Sequence, residues 1–230
     1  MRLVVAVTGG LVFAASLAYF TLEYATGFDT AVAGFHAVSP SAFDVVLFTV
    51  FALHHSVFAR TGVKRFIAQH IPANLERSTY VLIASVLFIV VCAAWRPVPG
   101  VLWTLDGPGA WLLRAIQLLG VAFTLVSARH LDVLDLAGIR QALQLPSDRA
   151  SKLDDHGPYG IVRHPIYLGW LLIVWPAPLM NGTRLVFAAI SSFYLIVAIP
   201  FEERDLRRTF GEAYAKYART VRYRMLPGIY

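Results

Sequence analysis

Six long apolar runs divide this chain of 230 residues and set what it can become: Leu3–Leu22, Phe43–Ala59, Thr79–Trp95, Trp111–Ala128, about 165–180, and Leu185–Pro200. Inside a bilayer every backbone N–H and C=O must find its partner within the protein, so only helices and closed barrels cross it. The runs are continuously apolar and do not alternate with polar residues, which selects helices. The expected fold class is therefore all-α, a polytopic transmembrane helical bundle of about six spans. The first run follows a single Arg2 and resembles a signal sequence in length. It lacks an A-x-A cleavage site and more spans follow, so it reads as a first span.

Composition agrees with a membrane chain. Apolar residues make up 57% and charged residues only 15%; the mean hydropathy is +0.61. The single cysteine, Cys92, lies within an apolar run, so no intramolecular disulfide is available and the thiol reads as packing. A net charge of +6 could suggest nucleic acid, but the bases are not gathered on one face of a folded domain. They fall on alternate connections, and the partners this implies are membrane lipids and an anionic membrane surface, with no nucleic acid.

That alternation sets an orientation. With the N-terminus inside, seventeen of the twenty Lys and Arg residues lie on the inner side, and only Arg96, Arg114 and Arg184 do not. The positive-inside rule then expects both termini, the 129–163 segment and the 201–230 tail to be cytoplasmic. With no organelle address in view, a bacterial inner membrane is the expected location.

The polar connection that opens the fifth run is HGPYGIVRHPIYLG, residues 156–169. Pro158 fixes a φ and removes a donor, and Gly157, Gly160 and Gly169 let backbone approach closely. Arg163 and His164 stand at the mouth of a membrane segment, where ionisable groups are costly and tend to be functional. A basic collar ahead of a helix would account for the same residues. The tail FEERDLRRTFGEAYAKY, 201–217, starts acidic and turns basic, as a helix prefers.

GPYGIVRHPIYLG followed by FEERDLRRTFGEAYAKY resembles the signature of the isoprenylcysteine carboxyl methyltransferase superfamily. ALHHSVFAR at 52–60, ERSTYVL at 76–82, WRPVPGVLW at 95–103 and LAGIRQ at 136–141 resemble its methanethiol S-methyltransferase branch. The resemblance implies one integral membrane methyltransferase domain over residues 1–230, with four spans in 1–128 and the donor-binding, catalytic half in 129–230. It also implies S-adenosyl-L-methionine as methyl donor, held under a cytoplasmic cap. The donor-binding positions it implies are Ser151, Lys152, Leu153, Asp154, Tyr159, His164, Pro165, Ile166, Tyr167 and Glu202.

These residue types suit that donor. Tyrosine faces suit adenine, a carboxylate at Glu202 suits a cation, and the free N–H groups of a helix opened by Pro165 suit an anion. Each also has a plainer explanation as a turn, packing, belt or helix-terminus residue. Relatives that methylate a prenylated cysteine carboxylate carry an Arg one helical turn before the Glu, where this chain has Ala198. Alanine has no bidentate fork for a carboxylate. A small thiol such as methanethiol is thus the expected acceptor. The alternatives are a lipid-like isoprenylcysteine carboxylate, and a non-catalytic membrane scaffold of the same fold.

His55, His130 and Arg163 are the catalytic candidates. Either histidine would suit deprotonation of a thiol, and either would equally suit a hydrogen bond within the bundle. No H-E-x-x-H or repeated H-x-x-x-H pattern occurs, so no metal is expected and a desaturase or hydroxylase loses its support. A sterol-type reductase would need a nicotinamide dinucleotide, and the short cytoplasmic segments and the methyltransferase signature argue against it.

Overall fold

The computed structural model describes residues 2–30, 38–58, 71–72, 74–131, 133–145 and 153–230. Helices dominate: α1 (Arg2–Ala25), α2 (Val38–Phe58), α3 (Glu76–Ala94), α4 (Gly107–His130), the short α5 (Val133–Leu136) and α6 (Ile139–Ala142), α7 (Pro165–Val174), α8 (Gly182–Phe210) and α9 (Glu212–Thr220). Two short strands, β1 (Val101–Thr104) and β2 (Leu179–Asn181), pair with each other. Among the described residues, five helices are long and apolar enough to span a membrane: α1, α2, α3, α4 and α8. The all-α polytopic fold expected from the runs is the fold observed.

The fifth apolar run differs from the others. Its helix, α7, stops at Val174 after ten residues, about 15 Å of rise against the ~30 Å of a hydrocarbon core. Pro176 and Pro178 lie just beyond, and the chain there turns into β2. The sixth run behaves in the opposite way. α8 continues through Pro200 to Phe210, so the apolar span and the start of the charged tail are one helix. It breaks at Gly211, whose φ of 54° favours glycine, and α9 follows.

The fold divides into two compact units. One comprises the described residues of Met1–Val101, Val133–Ser147 and Asn181–Val186. In it α3 packs against α1 and α2, with Phe20, Phe28, Phe88, Val91 and Cys92 buried. Gly9 allows α1 to lie against α3: a Cβ there would be 3.2 Å from the Ser78 carbonyl oxygen. Arg184 is fully buried, its charge met by Asp29 at 2.7 Å. Asn181, also buried, accepts from the Arg184 N–H at 3.0 Å and so caps the start of α8.

The other unit comprises the described residues of Leu102–Asp132, Asp148–Met180 and Phe187–Tyr230. Here α4 and α7 cross at two glycines. A Cβ on Gly120 would be 2.9 Å from the Gly169 carbonyl oxygen, and one on Gly169 would strike Thr124 Oγ1. Backbone therefore meets backbone at the crossing, as small residues permit between membrane helices. Trp170 donates to Ser191 and Trp175 to Ser192, tying α7 to α8. This second unit carries nearly all the candidate site residues.

Candidate active site

Pro158 opens a single 3-10 turn, Gly157–Gly160. Gly157 has a φ of 57°, and a Cβ there would stand 2.8 Å from His130 Nε2, so glycine is needed twice over. His164 stands at the N-cap position of α7, and Pro165 takes the first helical position, where a missing N–H costs nothing.

The tail holds this loop in place. The backbone N–H groups of Arg163 and His164 donate to the carbonyls of Tyr223 and Arg224, at 3.0 and 2.7 Å. The Arg163 guanidinium donates to the carbonyls of Val221 (2.8 Å) and Arg222 (3.0 Å) and meets Glu203 Oε1 at 2.7 Å. Glu203 also faces Arg224 Nε at 3.4 Å and His164 Nε2 at 3.7 Å. Tyr217 donates to the Tyr159 carbonyl at 2.8 Å, and Leu153 packs on the buried Tyr214, Tyr217 and Val221.

Glu202, one residue before Glu203, points elsewhere. About 100° of helical rotation separates neighbours, so Glu203 is buried while the Glu202 side chain stays 46% exposed. Glu202 accepts from the Tyr167 hydroxyl and faces His164 Nδ1 at 3.4 Å. The His164 and Tyr167 rings stack at 5.4 Å. Burial works against a charged His164, but hydrogen bonds and charge from Glu202 and Glu203 outweigh it, and the imidazole pKa is raised.

His130, the last residue of α4, places Nδ1 2.9 Å from Asp154 Oδ2. The other Asp154 oxygen accepts the His156 backbone N–H at 3.0 Å. Burial would raise the Asp154 pKa; the His156 N–H and the hydrogen bond and charge of His130 outweigh it and hold the carboxyl below its ordinary value. Tyr159 lies edge-on to His130, centroids 6.1 Å apart. Burial first, then the charges of Asp154 and Glu202, pushes its phenol pKa well up, so it remains a protonated donor. Asp154, Asp155 and His156 bring ligand atoms within 4.8 Å of one another, but His156 Nδ1 is turned onto Asp155 at 2.7 Å.

One compact unit thus holds Leu153, Asp154, Tyr159, Arg163, His164, Pro165, Ile166, Tyr167, Glu202 and His130. His55 belongs to the other unit, its Nδ1 2.9 Å from the Tyr80 hydroxyl. Ser151 and Lys152 lie outside the described residues. Sequence reasoning did not single out Glu203, Tyr217 and Arg224, on which the loop is anchored. One signal was present: a Glu–Glu pair on a helix cannot point both carboxylates the same way, and a buried arginine needs a partner.

The phospholipid methyltransferase family profile matches residues 115–213. Methanethiol S-methyltransferase 2 of Bradyrhizobium diazoefficiens is 40% identical over 181 residues, 77% of this chain and 70% of that protein. The chain belongs to the methanethiol S-methyltransferase family. The Mycobacterium tuberculosis methanethiol S-methyltransferase is 39% identical over 182 residues, 77% of this chain and 75% of that one. Nurim of Xenopus laevis is 31% identical over 174 residues, 70% of this chain and 61% of that protein. No solved structure matches. As a member of the methanethiol S-methyltransferase family the chain is a membrane methyltransferase. The profile match runs from within α4 to the start of α9, so it includes His130, the 153–167 loop, Glu202 and Glu203.

Proposed function

We propose that this chain transfers a methyl group from S-adenosylmethionine to the sulfur of a small thiol such as methanethiol, in a bacterial inner membrane with its donor loop and tail on the cytoplasmic side. The observation that carries this reading is the Glu202 carboxylate. It is held by Tyr167 and His164 yet remains half exposed, whereas Glu203 is committed to Arg163. The seventeen bases on one side of the expected topology support the orientation.

The donor set fits such a ligand: Glu202 for a cationic end, the Tyr159 and Tyr167 rings for a planar base, and the opened N-terminus of α7 at Pro165 and Ile166 for a carboxylate. Leu153 and Asp154 would complete the wall, with Ser151 and Lys152 beside them in sequence. S-adenosylmethionine, when bound, supplies a methyl group on a positively charged sulfur. The chain's own task is to hold the two sulfurs in line and to exclude water, because separated ions of the reactants are then not stabilised by solvent. Arg163 serves by fixing the loop through Glu203 and the tail carbonyls. Ala198, buried one helical turn before Glu202, offers no guanidinium to an acceptor carboxylate, which favours the thiol.

The test is calorimetry of the purified protein in detergent with S-adenosylhomocysteine, beside Glu202→Ala, followed by headspace detection of dimethyl sulfide from methanethiol and S-adenosylmethionine. Binding that Glu202→Ala weakens, with dimethyl sulfide formed, is the expected result. Folded wild-type protein that neither binds nor makes dimethyl sulfide would sink the reading.

A further inference from the structure

The thiol acceptor must lose a proton, and the neutral form of an alkyl thiol dominates near pH 7. Two histidines are candidates to take it. His55 Nδ1 meets the Tyr80 hydroxyl at 2.9 Å, and a hydroxyl can donate or accept, so this contact fixes no tautomer. His130 has a carboxylate there, at 2.9 Å. An ionised carboxylate only accepts, so in the neutral imidazole Nδ1 carries the hydrogen and Nε2 the lone pair.

The surroundings of Nε2 match that task. It faces Gly157, where any Cβ would approach within 2.8 Å of Nε2 and 3.0 Å of Cε1. With no side chain at 157, the loop backbone lies beside that edge of the ring and no Cβ covers Nε2. Tyr159 stands edge-on to the ring. The His130 and Asp154 side chains each keep 29% of their surface exposed, which gives an accepted proton a way out to water. Asp154 is fixed in turn by the His156 backbone N–H at its other oxygen.

Resting on the thiol methyltransferase reading, we propose that His130 is the base that removes the acceptor's proton at Nε2, and that Asp154 is its positioning residue. The S–H bond breaks, the proton passes to Nε2, and the electron pair stays on the acceptor sulfur. That sulfur forms the new bond to the methyl carbon as the bond from methyl to sulfonium breaks, and the released pair neutralises the donor's sulfur. The imidazolium then gives its proton to solvent. Asp154, assigned to the donor by resemblance, thereby acts through His130.

The experiment compares two small acceptors, methanethiol and the more acidic 2,2,2-trifluoroethanethiol, for wild type, His130→Asn and Asp154→Asn in detergent, with S-adenosylhomocysteine binding measured on each. A thiol already ionised at the assay pH needs no base. His130→Asn is expected to lower kcat/KM for methanethiol by about 10²–10⁴-fold and to spare most of the rate with the acidic thiol. Asp154→Asn should shift the preference in the same direction. Equal losses with both thiols in both variants, or no loss in His130→Asn, would overturn the assignment while leaving the thiol methyltransferase reading in place. A folded wild type that methylates neither thiol would overturn both.

Discussion

Arg163 and Glu203, forty positions apart, meet at 2.7 Å with side chains only 8% and 4% exposed. Removing one partner of a buried pair strands the other charge. Arg163→Ala is therefore expected to destabilise the fold by about 3–5 kcal/mol, read as a lower midpoint of thermal unfolding in detergent. Arg163→Lys should also destabilise, because an ammonium cannot serve Glu203 and two carbonyls in one plane.

Glu202 is exposed and the half-buried Tyr167 ring packs on Leu195, Ile199 and Met225, so loss of the hydroxyl alone should show in donor binding and not in stability. Tyr167→Phe removes a hydrogen bond to a charged group, and a roughly tenfold weaker affinity for S-adenosylhomocysteine is expected. Its unfolding midpoint should stay within about 0.5 kcal/mol of wild type. A binding titration beside a melt separates the two effects.

The raised pKa of His164 carries a sign. Its contribution to stability is fully present below the unfolded value of about 6.5 and is lost as pH rises through the higher folded value. His164→Gln should therefore lie furthest below wild type in acid, with the gap closing as pH increases. Asp154, with a lowered pKa, acts in the opposite sense: its contribution is present above the unfolded carboxyl value and is lost as pH falls through the folded one. Melts of wild type, His164→Gln and Asp154→Asn from pH 5 to 9 would check the histidine sign; an acid extension is needed for Asp154.

At the α4–α7 crossing, Gly169→Ala would press a methyl onto Thr124 Oγ1 and the Gly120 carbonyl. The expected cost is about 1–3 kcal/mol. Adding Thr124→Ala should recover part of it, because the hydroxyl is the nearer obstacle and has no hydrogen-bond partner among the described residues. Unfolding of the single and double variants measures the coupling.

Much of this was legible in the sequence because it depends on local rules. Continuous apolar runs announced the spanning helices, and the Gly–Pro punctuation announced the turn at 157–160. What the sequence did not disclose depends on pairing at a distance. Arg184 reads as a stray base among apolar residues, yet its charge is answered by Asp29, far away in sequence. Pro200 reads as the end of a span, but α8 passes through it, since a polarity boundary is not a helix boundary. Of the two glutamates, Glu202 stood out by resemblance alone. Glu203 needed the positions of Arg163 and Arg224 before its place could be seen.

The loop that carries Tyr159 and His164 gets its backbone partners from residues 218–224. A nascent chain makes those carbonyls late, after the five span-length helices among the described residues have been synthesised. Insertion of the spanning helices and anchoring of this loop are thus separate events in the life of the molecule. A ribosome stalled within α9 would leave a chain seated in the bilayer that lacks the clasp on the proposed donor loop, so premature termination near the end of the message should yield an inert membrane protein and not a partly active one.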